Sequence, residues 1–152
     1  MDGWRTVGKS AGVDSLAAEL VALWGSPPAG DGRDGDAFRT LYADPVVLNG
    51  TSVPVDELVG RYRALHAACA DIEIELVDRA EAPGALTVVL RQRGRHVGPL
   101  ATPVGTVAPA GRRFDVLGID LLRVAGGRIT DTWVVADELG RLLQLDALGP
   151  PS

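Results

Sequence analysis

Apolar residues recur at helical spacing in the first half of the chain, whereas the second half alternates between apolar and polar positions. The helical pattern covers residues 16–24 and 57–69 and predicts two amphipathic helices, the first capped by Asp14 or Ser15. A short helical piece is expected over 36–42, after a loop rich in Pro, Gly and Asp. The early part of the chain is therefore expected to be mostly helical.

Alternation of apolar and polar residues predicts long strands in the second half. These strands are expected to be joined by tight turns at Pro83-Gly84 and Gly126-Gly127, and a short earlier strand should end at Asn49-Gly50. The segment 97–111 is rich in Gly and Pro and predicts a flexible excursion. The predicted long strands cover residues 72–77, 86–95, 114–124 and 128–136.

Helices that precede an antiparallel meander indicate an α+β fold. We expect a cone-shaped α+β barrel, with the helices packed on one face of a strongly curved antiparallel or mixed sheet. The mouth of such a cone is a natural pocket for a small molecule. Residues 1–12 show little periodicity and predict a flexible N-terminal arm, followed by a single domain over 13–152.

Composition narrows the class of protein. The chain has 152 residues, of which 46% are hydrophobic, enough for one domain with a substantial core. Its net charge of −5 argues against binding to a nucleic-acid backbone. No apolar run is long enough to span a membrane, and the N-terminal sequence lacks the apolar block of a signal peptide. A single cysteine, Cys69, and the lack of zinc-type Cys/His spacing predict a cytoplasmic protein without a metal site.

The segment from Gly127 to Gly140 contains the first candidate for proton transfer. Trp133, Val135 and Asp137 alternate with their neighbours and would share one face of a strand. If that face is internal, burial raises the pKa of Asp137 and makes it a usable general acid or base. Asp137 also has the sequence context of an N-cap for the C-terminal helix, and the residues leave both interpretations open.

Two further titratable residues are candidates for the same site. His96 follows Gln92 on one strand face, where a neutral imidazole could bind a substrate carbonyl or share a proton with Asp137. Asp120 lies in an apolar strand on the same face as Leu122, and a second internal carboxylate would raise one of the two pKa values. The alternatives are a surface histidine and a solvent-facing or ion-paired aspartate.

The remaining candidates would bind the substrate. Asn49 fits a turn, yet its amide could also donate a hydrogen bond to an enolate oxygen. Tyr42 could donate its hydroxyl, and the large apolar side chains would form the wall of the pocket. The predicted substrate-binding residues are Asn49, Tyr42, Gln92, Phe114, Trp133, Leu122 and Trp24.

Three motifs in a fixed order extend over roughly residues 36–149. They are Tyr42-Ala-Asp-Pro-Val-Val-Leu-Asn-Gly; Gly94-Arg-His-Val-Gly followed by Pro109-Ala-Gly-Arg-Arg-Phe; and Gly118-Ile-Asp-Leu-Leu-Arg-Val followed by Gly127-Arg-Ile-Thr-Asp-Thr-Trp, Asp137 and Leu142-Leu-Gln-Leu. With their spacing, these motifs resemble the SnoaL-like polyketide cyclase (ester cyclase) group of the nuclear-transport-factor-2-like superfamily.

The resemblance implies an α+β barrel, a homodimer built through sheet faces and an apolar pocket for a hydrophobic small molecule. It also implies ring closure of a polyketide ester by acid/base chemistry without a cofactor, with a general acid/base aspartate that maps onto Asp137. Two histidines of the family pattern are replaced here, by Leu48 and Thr132. A fold does not fix a reaction, so epoxide opening and a non-catalytic small-molecule-binding module remain as alternatives.

Overall fold

Four helices and eight strands make up the part of the chain that this computed structural model describes, residues 11–148, with side chains described from residue 15. The helices are α1 (Ala11–Gly25), α2 (Arg33–Leu41), α3 (Val55–Ala68) and α4 (Glu138–Gln144). The strands are β1 (Tyr42–Leu48), β2 (Thr51–Val53), β3 (Cys69–Ala82), β4 (Ala85–His96), β5 (Leu100–Thr102), β6 (Gly105–Val107), β7 (Arg113–Ala125) and β8 (Arg128–Ala136).

Six of these strands form one mixed sheet in the order β2-β1-β8-β7-β4-β3. The β1–β8 pair is parallel and the other pairs are antiparallel. The register shifts between Leu76 and Asp78 in β3 and between Arg123 and Val124 in β7. Such irregularities bend and twist strands. The predicted α+β fold with helices on a mixed sheet is confirmed.

Side chains of β7 alternate between two faces, which define the inner and outer faces of the sheet. Phe114, Val116 and Leu122 are buried on the inner face, whereas Leu117 and Ile119 are exposed on the outer face. The inner face is covered by α1, α2 and α3, which pack against the sheet and against one another. The amphipathic helices therefore bury their apolar faces on one side of the sheet only.

The main core lies between these helices and the inner face. Phe38 of α2 is fully buried and packs against Trp24, Tyr42 and Tyr62, with ring centroids 5.4, 5.9 and 5.2 Å away. A smaller buried cluster lies beside α4 and includes Cys69, Leu100, Phe114, Val116 and Leu145. The space between these two packed regions is where a cavity remains.

The structure corrects several predicted boundaries. Helix α1 begins at Ala11, before the expected caps, and α2 begins at Arg33 because Gly32 adopts a left-handed conformation (φ 84°) that allows the chain to enter the helix. The excursion over 97–111 contains a hairpin, β5–β6, in which the Thr102 hydroxyl donates to the Gly105 carbonyl at 2.6 Å. Residues 1–10 of the expected N-terminal arm lie outside the described residues.

The helices found within residues 11–148 are all too short or too polar to cross a lipid bilayer.

Candidate functional site

A cavity of about 340 Å³ lies between the inner face of the sheet and helices α1, α3 and α4. Most of its wall is apolar. Polar groups enter it at a few points, and Asn49 and Arg61 on its lining are exposed, so the cavity reaches the surface there. Apolar lining residues include Leu48, Leu58, Leu65, Ile74, Leu90 and Val116. An apolar cavity with few polar groups is typical of a small-molecule site.

Asp120 places a carboxylic acid on the part of the cavity wall formed by the sheet, and Glu138 of α4 is a second acid on the lining. It lies on the inner face of β7, between Val88 of β4 and Val134 of β8 in the strand register. No hydrogen bond or ion pair reaches its carboxylate from residues 15–148. Burial raises the pKa of Asp120 from 3.8 to about 6, because the charged form loses solvation. The alternation expected along Gly118, Asp120 and Leu122 is confirmed.

Tyr42 presents a neutral hydroxyl to the same cavity. The Trp24 indole Nε1–H donates a hydrogen bond to the Tyr42 hydroxyl oxygen at 2.9 Å. Burial raises the pKa of Tyr42, and the nearby Asp120 carboxylate raises it further. The tyrosine therefore keeps its proton, and because its oxygen already accepts from Trp24, its O–H remains available as a donor.

Asn49 forms the expected turn and also lies on the cavity lining. It adopts a left-handed turn conformation (φ 49°) in the β1–β2 hairpin, and its Oδ1 accepts a hydrogen bond from the Val134 amide at 2.8 Å. This bond leaves the side-chain NH₂ as the free end at the cavity lining. Thr132 and Leu48, which replace the two histidines of the family pattern, line the cavity as well.

Asp137 does not lie in the interior, so the environment expected for it is wrong. Its side chain is exposed and caps α4, where its Oδ1 accepts from the Gly140 amide at 2.8 Å. The physical reason is that Trp133, Val135 and Asp137 follow the outer face of the sheet, which no helix of the described chain covers. Trp133 and Val135 are 53% and 73% exposed. The N-cap interpretation of Asp137 is confirmed.

His96 is buried but does not line the cavity, which corrects its expected position. Its two ring nitrogens are shielded from solvent and have no hydrogen-bond partner among the described residues. The Phe114 ring fills the space above Gly94, between Gln92 and His96 on the inner face of β4. His96 is therefore separated from Gln92, which does line the cavity, and cannot share a proton with exposed Asp137.

Three of the residues predicted to bind substrate lie elsewhere. Trp133 is on the outer face of the sheet, whereas Leu122 is fully buried in the main core and Phe114 in the smaller cluster. Each of the three side chains is apolar, as the wall of a pocket is. Apolar character alone does not show on which face of the sheet a residue lies or how deeply it is buried. Trp24, Tyr42, Asn49 and Gln92 do line the cavity, together with Asp120.

Sequence reasoning missed Arg141, a buried cation on the cavity lining. Its Nη2 donates to Gln92 Oε1 at 2.9 Å, and its guanidinium lies 5.1 Å from the centroid of the Phe114 ring. A signal was present: Arg141 precedes the apolar Leu145 by one helical turn and so shares its face. No group of three or more His, Cys, Asp or Glu within the described residues is arranged to hold a metal ion.

Comparisons with solved structures agree with this fold. TsrD from Streptomyces laurentii has a TM-score of 0.78 at 22% identity, covering 93% of this chain and all of TsrD. A SnoaL-like polyketide cyclase from Agrobacterium tumefaciens has a TM-score of 0.70 at 18% identity, covering 90% and 99% of the two chains. A Catenulispora acidiphila protein with a ketosteroid isomerase-like fold has a TM-score of 0.66 at 17% identity, covering 89% and 97%.

A search of curated proteins found no match to the chain. The sequence model of the SnoaL-like polyketide cyclases, however, matches residues 14–145, nearly the whole described chain. The chain belongs to the SnoaL-like polyketide cyclase family.

Proposed function

We propose that this protein is a cofactor-free acid/base cyclase, which closes a ring within a polyketide-type or related natural-product intermediate, with Asp120 as the general acid/base. The single observation that carries the proposal is the Asp120 carboxyl, which receives no hydrogen bond from the described residues and lies in an apolar cavity with its pKa raised to about 6. A group with a pKa near the working pH can both take and return a proton.

In the proposed reaction, ionised Asp120 removes a proton from a carbon next to a substrate carbonyl. The resulting enolate attacks a second carbonyl of the same molecule and forms the new carbon–carbon bond. Protonated Asp120 then delivers its proton to the alkoxide that this attack creates, so that the carboxylate is restored. Confining a flexible chain in the cavity brings the two carbonyls together, and such proximity can lower a barrier by several kcal/mol, on the order of 7 in well-oriented cases.

Tyr42 and Asn49 are suited to stabilise the enolate oxygen. The Tyr42 O–H and the Asn49 NH₂ are donors on the cavity lining, and their orientations are fixed by Trp24 and by the Val134 amide. Donors that are already oriented stabilise developing charge without reorganisation. In this proposal Asp120 moves the proton, and the two donors favour the anionic intermediate.

A generic carbon-acid probe tests the role of Asp120 without knowledge of the native substrate. We expect the protein to catalyse ring opening of 5-nitrobenzisoxazole, a reaction that begins with proton removal from carbon, at a rate that falls as Asp120 is protonated below a pH of about 6. Asp120→Asn should reduce this rate by roughly 10²- to 10⁴-fold. The matched control Asp137→Asn, an exposed cap with the same chemical change, should stay within about twofold of the wild type.

An unchanged rate in Asp120→Asn would overturn the assignment of the base. If the wild-type protein binds the probe but does not convert it, while Asp120→Asn binds equally well, the alternative of a non-catalytic binding module is favoured. Both outcomes can be read from one set of titrations and progress curves.

Intramolecular epoxide opening is the second candidate, and the same carboxyl favours it. Protonated Asp120 would donate its proton to the epoxide oxygen as a hydroxyl of the substrate attacks the epoxide carbon and the carbon–oxygen bond of the epoxide breaks; the proton of the attacking hydroxyl then passes, directly or through water, to the Asp120 carboxylate and restores the acid. This reaction needs the acid form, so its rate should rise as the pH falls through about 6. Ring closure through an enolate needs the carboxylate and shows the opposite slope. Rates on an epoxy-alcohol and on a diketo ester, measured across this pH range, separate the two reactions.

A further inference from the structure

Arg141 is a buried charge that the proposed acid/base chemistry does not use. It lies on α4 with only 8% of its surface exposed and contributes to the cavity lining. Its Nη2 donates to Gln92 Oε1 at 2.9 Å, and its guanidinium lies over the Phe114 ring at 5.1 Å. These two contacts hold the guanidinium plane in one orientation, because the Phe114 ring lies against the guanidinium and Gln92 accepts a hydrogen bond from one of its nitrogens.

The hydrogen-bonding capacity of this guanidinium is only partly used. Nε is buried and has no hydrogen-bond partner, and Nη1 makes no hydrogen bond within the described part of the chain. Arg141 forms a long ion pair with Glu138, whose Oε1 lies 3.6 Å from Nη2 and whose side chain is 41% exposed. Unpaired donors on a buried cation destabilise a folded protein, so their presence calls for an explanation.

The other cation on the cavity lining differs in burial, although each of the two forms an ion pair with a carboxylate on its own helix. Arg61 is exposed and forms an ion pair with Glu57 at 2.6 Å, one helical turn away on α3. Solvent and Glu57 therefore screen its charge, as is usual for an exposed ion pair. Arg141 is the cation through which the described cavity can hold an anion in a low-dielectric setting.

Arg141 and Asp120 lie beside different positions along strand β4. Asp120 is opposite Val88 in the strand register, and Gln92, the partner of Arg141, lies four residues further along β4. Four residues of extended strand span roughly 13 Å. The residue that holds Arg141 and the position of Asp120 are thus separated along the sheet, so a substrate that contacts both groups carries a polar group apart from the carbon that reacts.

We propose that Arg141, held in place by Gln92 and Phe114, binds a carboxylate carried by the substrate at the end of the cavity away from Asp120. The planar guanidinium matches a carboxylate, and its charge-assisted hydrogen bonds are strong in an apolar environment. A single buried cation suits a singly charged group better than a phosphate, which would require further donors. This inference rests on the proposed function only in taking the cavity as the substrate site.

The test compares 2-naphthoate with 2-naphthamide, which share the aromatic rings and differ in the charge of one group. By isothermal titration at pH 7.5, the wild type should bind the carboxylate at least about tenfold more tightly than the amide. Arg141→Gln should abolish this preference while changing amide affinity by less than about threefold. The matched control Arg61→Gln should keep the preference within about twofold of the wild type.

A second readout does not depend on a variant that folds. The Arg141 Nε–H resonance of the ¹⁵N-labelled wild type should shift on addition of 2-naphthoate and not of 2-naphthamide. Equal affinities for the two probes, a preference that survives in Arg141→Gln, or no binding of either probe would overturn the proposal. Asp120→Asn should retain the carboxylate preference, so failure of the catalytic assignment and failure of this inference give different results.

Discussion

The two faces of strand β7 both carry large apolar side chains but have opposite environments. On the inner face Leu122 is fully buried beneath the helices, and Asp120 borders the cavity. On the outer face Leu117 and Ile119 are 44% and 50% exposed. Two leucines five positions apart on one strand thus differ in burial because helices cover only one face. Hydrophobic character alone does not identify the face that forms the core.

The outer face of the sheet exposes several apolar side chains, as a protein–protein interface does in the absence of its partner. Apolar side chains of β7 and β8 lie side by side in the register on this face, with exposed Ile119 opposite exposed Val135, and half-buried Leu121 opposite exposed Trp133. A contiguous exposed apolar patch of this kind marks an interaction surface. The homodimer implied by the family resemblance stays a prediction, and this face is where we propose that two copies meet.

The largest effect that separates the two faces is expected from removing matched leucines. Leu122→Ala should lower the free energy of unfolding by about 2–5 kcal/mol, because it leaves a cavity in a fully buried position. Leu117→Ala on the same strand should change it by no more than about 0.5 kcal/mol. Urea unfolding of dilute protein measures both, and similar losses in the two variants would show that the outer face is already covered at that concentration.

The next effect concerns the pH dependence of stability that Asp120 introduces. The pKa of Asp120 is about 6 in the folded protein and has an ordinary value of 3.8, so between these pH values the folded state binds more protons than the unfolded state. Stability from this group is therefore present at low pH and is lost as the pH rises through about 6. Asp120→Asn should be more stable than the wild type at pH 8, by up to about 3 kcal/mol.

Urea titrations at pH 4.5 and pH 8 measure this difference, which should narrow at the lower pH. The control Asp137→Ala, at the exposed N-cap of α4, should instead lose about 1 kcal/mol at pH 8. A wild type more stable than Asp120→Asn at pH 8 would contradict the apolar environment assigned to Asp120.

The smallest effect is expected for association through the outer face. Trp133 is 53% exposed there, and a charge at this position should weaken a dimer at least about 30-fold, the loss typical of an interface hot spot. Trp133→Glu should thus shift the protein to monomer in sedimentation equilibrium, with little change in monomer stability. A wild type that stays monomeric at high micromolar concentration would contradict the prediction.

Local sequence patterns predicted the elements that carry the site. Alternation along 114–124 placed Asp120 and Leu122 on one face, and the Gly126-Gly127 turn and strand β8 were predicted at their observed positions. These features depend on neighbouring residues and on the period of the strand, which is why they can be read without tertiary contacts. The capping chemistry of Asp137 was equally readable from its sequence context.

Which aspartate borders the cavity was decided by tertiary structure. Asp120 and Asp137 both follow apolar strand residues, but helices cover the face that holds Asp120 and leave the face leading to Asp137 exposed. The position of Arg141 likewise depends on α4 folding back against Gln92 of β4, a contact across 49 residues. The sequence determined the strands, their turns and the alternation of side chains. Burial of a charge depends on what packs over it, and only the assembled fold supplies that cover.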